Sequence, residues 1–110
     1  MKFFHKMYVS EALASRTDEC ILKIKQNIMI PNVYVITFAG NPKNILDVIL
    51  TRQLLHPTYP KEDIRIIGLA KGKKDAFALV EHIIGETYEK TGQFDVRTYL
   101  TKGQEDEIWT

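Results

Sequence analysis

The sequence predicts an α/β protein. It should be a single small domain with elements in the order β-α-β-α-β-α and a three- to four-stranded, mostly parallel sheet packed by helices. Three observations carry that prediction. Segments 33–39 and 64–70 are strand-length apolar runs that do not alternate, as expected of strands covered on both faces. Around them lie stretches with apolar residues at helical spacing. The chain has 110 residues with no linker and no internal repeat, near the commonest size of one domain.

The first strand is expected over 6–9, starting as early as Phe3, with Met7, Tyr8 and Val9 filling it and Ser10-Glu11 closing it. Ser15-Arg16-Thr17-Asp18 then offers helix N-cap candidates, and Cys20, Ile21, Ile24 and Ile28 recur at helical spacing. Pro31 blocks continuation, so this helix should end by about Met29. Val33 to Ala39 forms the second strand. Gly40-Asn41-Pro42 follows, where Asn41 suits an N-cap and Pro42 the first helical position. A second helix should run through Ile45, Leu46, Val48, Ile49 and Leu50 to Leu54-Leu55, stopped by His56-Pro57. The third strand spans 64–70 and is apolar except for Arg65 and Gly68. The third helix starts near Lys73 and carries Ala76, Phe77, Val80, Ile83, Ile84 and Tyr88 on one wide face, with Gly92 just past its end. Residues 94–100 alternate, with Phe94, Val96 and Thr98 on one side, which suggests a fourth, edge strand or an extended segment packed on the sheet. The domain should close near residue 100, and 101–110 reads as a polar, acidic, mobile tail.

Composition narrows the function classes. Fifteen basic against 14 acidic side chains leave a net charge of +1, which argues against a dedicated nucleic-acid binder. The single cysteine, Cys20, excludes an internal disulfide and argues against a cysteine-based zinc site. No run approaches the roughly 20 apolar residues of a membrane helix, and Lys2 and Lys6 interrupt the start of any signal peptide. A soluble cytoplasmic protein is therefore expected. The histidines His5, His56 and His82 fall in unrelated elements without ligand spacing, so no metal and no cofactor is expected.

In an open parallel sheet, ligands bind beyond the carboxyl ends of the strands, where helix N-termini gather. Three loops would converge there: Ser10-Glu11, the loop from Gly40 to Asn44, and Lys71-Gly72-Lys73-Lys74-Asp75. The last resembles a phosphate-binding loop but fails as one. Gly68 and Gly72 have three residues between them rather than four, and Lys73 is followed by Lys74 where a magnesium-binding hydroxyl is required. What remains is a helix start with free N–H groups beside three lysines, which would favour a small anion; the competing reading is a plain solvated turn. The leading expectation is a non-enzymatic binding or interaction protein, with an anion site formed by Lys71, Gly72, Lys73 and Lys74 and with Asn41 nearby. The alternative is an enzyme acting on a phosphorylated or carboxylated small molecule in the same crevice, with Glu11 as the acid/base candidate. Apolar residues nearly all around the 45–55 helix, and exposed aromatics such as Tyr59 and Trp109, add a homodimer to the expectations.

Taken together, "MYVSEAL", "NVYVITFAGNPKNILDVI", "IRIIGLAKGKKDAFALVEHII" and "TGQFDVRTYL" resemble a family of small uncharacterised bacterial α/β proteins, over roughly residues 3 to 100. The resemblance implies a bacterial cytosolic protein. It attaches no activity, cofactor or catalytic residue to the chain.

Overall fold

Phe3 and Phe4 are adjacent, point to opposite faces of a sheet, and are both buried, which makes the first strand begin at the amino terminus. This strand is β1 (Lys2–Val9). A 3₁₀ segment (Glu11–Arg16) leads into α1 (Thr17–Lys25), followed by β2 (Val33–Phe38), β3 (Leu46–Leu50), α2 (Thr51–Leu54), β4 (Arg65–Lys71), α3 (Lys73–Thr91) and α4 (Val96–Thr101). The structure, a computed structural model, describes residues 1–40, 43–102 and 109. Its strands form one sheet in the order β1-β4-β2-β3. β1 runs parallel to β4, whereas β4 with β2 and β2 with β3 are antiparallel pairs. The α/β class stands, but the sheet is mixed and mostly antiparallel, and the order β-α-β-α-β-α does not hold.

The main cause lies in residues 46–54, where a strand and one short turn of helix replace the expected long helix. β3 pairs with β2 from Phe38↔Leu46 to Tyr34↔Leu50, and the short connection forces the antiparallel return. In this register Leu46 and Val48 meet the cluster beneath α3, while Ile49 joins the cluster on the other face. An apolar run can serve a buried strand or a buried helix, and pairing with β2 selected the strand. The expected edge strand over 94–100 is instead α4. Asp95 caps it, its carboxylate accepting from Thr98 N–H at 3.1 Å and from the Thr98 hydroxyl at 2.7 Å. The first helix stops at Lys25, short of Met29, because Asn27 takes a left-handed conformation at φ 61°.

Helices cover both faces. Leu13 of the 3₁₀ segment, Cys20 and Ile24 of α1, and Leu54 of α2 pack with Phe3, Val33, Val35, Ile66 and Leu69 on one face. On the other, Ile83 of α3 and Val96 of α4 pack with Phe4, Ile36, Ile67 and Trp109. Most of these side chains are fully buried, each contributing about 1.5–3 kcal/mol relative to exposure. Within the tail, Trp109 is buried and pairs with Phe4 in an isolated antiparallel bridge, while Tyr59 is half-buried against the first cluster. No helix among the described residues is long and apolar enough to cross a membrane.

Candidate functional site

Because β1 and β4 are parallel, Ser10-Glu11 and the Lys71–Lys74 turn do sit at one end of the sheet. The Lys71 N–H donates to the Ser10 hydroxyl at 3.1 Å, and the Gly72 N–H to the Asn32 carbonyl at 2.8 Å. Gly72 is the N-cap of α3 with φ +83°, a backbone conformation that favours glycine. It has no side chain to cap the helix, and the first-turn N–H groups carry no side-chain cap among the described residues. Lys71, Lys73 and Lys74 are exposed, and the Lys73 ammonium lies 5.9 Å from the Phe77 ring centroid. Glu11 is an exposed first residue of the 3₁₀ segment.

The three-loop crevice is not assembled. β2 is antiparallel to β4, with Val33 opposite Lys71 and Thr37 opposite Ile66, so Gly40 leaves β2 at the far end of the sheet from Gly72. Asn41 lies outside the described residues. The predicted convergence depended on parallel strands, and the antiparallel hairpin separates its parts.

At that far end a cleft of about 1020 Å³ opens between the end of β2, the start of β3, the 57–64 loop and α4. Thr37, Asp47, Tyr59, Arg65 and Arg97 contribute its polar lining. Thr37 is 2% exposed. The Asp47 carboxylate accepts from the Gly40 N–H at 3.2 Å, and burial together with the Asp47 charge pushes the Tyr59 hydroxyl pKa up. The Arg97 guanidinium lies 5.0 Å from the Phe38 ring centroid and that of Arg65 5.7 Å from Trp109.

A third group of ionisable residues joins β1, α3 and α4. The Tyr8 hydroxyl donates to Glu86 Oε2 at 2.5 Å and the Tyr99 hydroxyl to the same oxygen at 3.0 Å, while His82 Nε2 lies 3.8 Å from Glu86 Oε1. Burial, then the hydrogen bond and charge of Glu86, hold the Tyr8 phenol well above the ordinary tyrosine range. Both phenols act as donors to one carboxylate, an arrangement that ties three elements together. Among the described residues, no three His, Cys, Asp or Glu side chains gather as metal ligands would.

The flank of α3 opposite this group is apolar. At about 100° per residue, Phe77 lies half a turn around the helix from Glu86, with Ile84 and Tyr88 close to the same line. Glu86 faces β1, so this line faces β3. Phe77 is 48% exposed, Tyr88 52% and Phe94 54%, and the last two rings stack at 4.8 Å. β3 beside them is an edge strand whose outer side has no main-chain partner among the described residues.

Sequence reasoning thus found the turn before α3 and missed the cleft, the Tyr8–Glu86–Tyr99 group and the β3 edge. One signal was available for the cleft: Arg65 is the charged residue that interrupts an otherwise apolar strand segment. Comparison with protein-family models, with curated proteins and with solved structures found no match to this chain.

Proposed function

We propose that this is a small cytoplasmic binding or interaction protein that works as a homodimer, joined through β3 and the apolar flank of α3. The observation that carries the reading is the outer edge of β3, without a strand partner among the described residues, lying beside the half-exposed aromatics Phe77 and Tyr88. An exposed strand edge is a template for a further strand, and a contiguous apolar patch next to it marks a contact surface. β3 is suited to pair with itself. An antiparallel pair centred on Val48 sets Leu46 opposite Leu50 and Asp47 opposite Ile49, with no like charges facing. The same two-fold keeps both α3 helices on one face of the extended sheet, with their apolar flanks toward each other. Light scattering at micromolar concentration should return the mass of two chains. The double substitution F77E/Y88E, at exposed positions, should return the mass of one chain with a folded circular-dichroism spectrum. A wild-type chain that stays monomeric at hundreds of micromolar removes the proposal.

A small anion at the start of α3 is a second reading, favoured by the uncapped first turn of a 19-residue helix beside Ser10, Lys71, Gly72, Lys73 and Lys74. Changing Lys71, Lys73 and Lys74 together to Gln should abolish the extra thermal stability that phosphate confers over chloride. An equal phosphate effect in both proteins sinks this reading. The enzymatic alternative, with Glu11 as acid/base, has less support, because the loop after β2 leaves the sheet at the opposite end.

A further inference from the structure

We propose that the groove between β1 and α1 takes up an extended acidic segment of a partner protein, added antiparallel to β1 as a further strand. β1 is the edge of the sheet opposite β3, so this surface is separate from the dimer contact above and stands or falls independently of it. The Ser10 N–H donates to the Leu69 carbonyl at 2.9 Å. Main-chain groups alternate sides along a strand, so Tyr8 turns toward β4 as Ser10 does, and Met7 and Val9 turn their N–H and C=O groups outward. Apart from the bridge at Phe4, that outer side has no strand partner among the described residues. Beside it lies a groove of about 560 Å³ whose second wall is α1, where Thr17, Ile21 and Lys25 stand one turn apart. A strand edge with a helix alongside can receive a peptide by strand addition. Main-chain hydrogen bonds then hold the segment, and the neighbouring side chains select it.

Two observations point to the occupant. Trp109 forms an antiparallel bridge with Phe4, so β1 already takes a neighbour in that sense from its own chain. The groove is also polarised. The Lys25 ammonium lies 5.5 Å from the Phe3 ring centroid, which places the end of α1 beside the start of β1. The exposed His5, Lys6 and Lys25 therefore line one end, and Asp18, in the first turn of α1, lines the other. Half-buried Met7, Val9 and Ile21 supply the apolar lining. An antiparallel segment sets its amino end near Val9 and its carboxyl end near His5, so its acidic residues belong in the carboxyl half, after β-branched ones. Edge lysines guard a strand against a second copy of itself, and a second β1 would bring Lys2 and Lys6 against like charges. The same charges admit an acidic strand.

The test is a ¹⁵N–¹H NMR titration of the full chain with an octapeptide of alternating threonine and valine that carries two glutamates near its carboxyl end. Saturable shifts should fall on the amides of 5–9 and 17–25. Two control peptides, one of reversed order and one N-methylated so that it cannot donate main-chain hydrogen bonds, should bind at least ~5-fold more weakly, about the worth of one hydrogen bond. K6E, at an exposed position, should weaken binding roughly 3-fold and K6E/K25E roughly 10-fold, as inverting exposed charges does, with the circular-dichroism spectrum of a folded chain. The proposal is overturned if the peptide shifts none of those amides at ~10 mM, ten times a millimolar Kd, or if the shifts fall on 46–50 instead. It is also overturned if either control peptide binds equally well or if K6E binds as the wild type does. Stronger shifts of the same amides by decathymidylate would overturn it too, making the groove a nucleic-acid surface.

Discussion

Gly68 shows how one residue can carry a tertiary constraint. A Cβ there would stand 3.0 Å from the Tyr8 carbonyl oxygen and 3.3 Å from Ile36, so β1 and β2 both approach β4 closely only because no side chain intervenes. The pairing slips on both sides at that point, which places a bulge beside the glycine. Tyr8, opposite Gly68, ties β1 to α3 through Glu86. Replacing Tyr8 with Phe keeps the ring and removes the donor, and should cost about 1–2 kcal/mol in chemical denaturation, since Tyr99 still serves the same carboxylate. The pH dependence follows from the raised phenol. The fold keeps Tyr8 protonated where the unfolded chain ionises it, so its contribution is constant below about pH 10 and is lost as the pH rises beyond. The stability gap between wild type and Y8F should therefore narrow above pH 10; a gap that widens there contradicts the assignment. None of this was legible in the sequence, where Tyr8 and Glu86 are 78 positions apart.

Among the elements, α3 was legible from start to finish. Its apolar face, the glycine that opens it and Gly92 that closes it at φ +72° are all local signals, and local signals survive into the fold. Residues 94–100 misled for the opposite reason. Their alternation suits a strand, but Asp95 and Thr98 form a cap that a search for N-cap residues could have found. Asp95→Ala should cost about 1 kcal/mol and loosen α4, seen as faster amide exchange at Thr98 and Tyr99. The hydrogen bonds from Thr98 depress the Asp95 carboxyl pKa. Its contribution is thus present above the ordinary carboxylate value and fades as the pH falls through the depressed one. In D95A that acid-side loss should be missing. The segment 45–55 failed on different grounds. Aliphatic residues fit either a helix or a strand buried on both faces, and the partner strand that decides the matter lies elsewhere in the chain.

The whole molecule is organised around β4, which pairs with β1 and β2 and contributes to both cores, Ile66 and Leu69 to one and Ile67 to the other. Ile67 is fully buried beneath α3. Ile67→Ala should remove about 2–5 kcal/mol, a large share of the stability of a domain this size, with one cooperative transition monitored by tryptophan fluorescence and circular dichroism alike. Trp109 packs against Phe4 and Phe38 in that same cluster, so its emission reports the core. Two separate transitions would show that the layers on either face of β4 unfold independently.

The sequence by itself determined the α/β class, the buried character of β2 and β4, the start and end of α3, and the turn at Gly72, because each depends on residues within a few positions of one another. The tertiary structure alone decided strand direction, strand order, the conversion of 46–50 from helix to strand, and the end of the sheet at which the cleft forms. Those features depend on which segments pair across the sheet, and an apolar run buried on both faces carries no mark of its neighbour's direction.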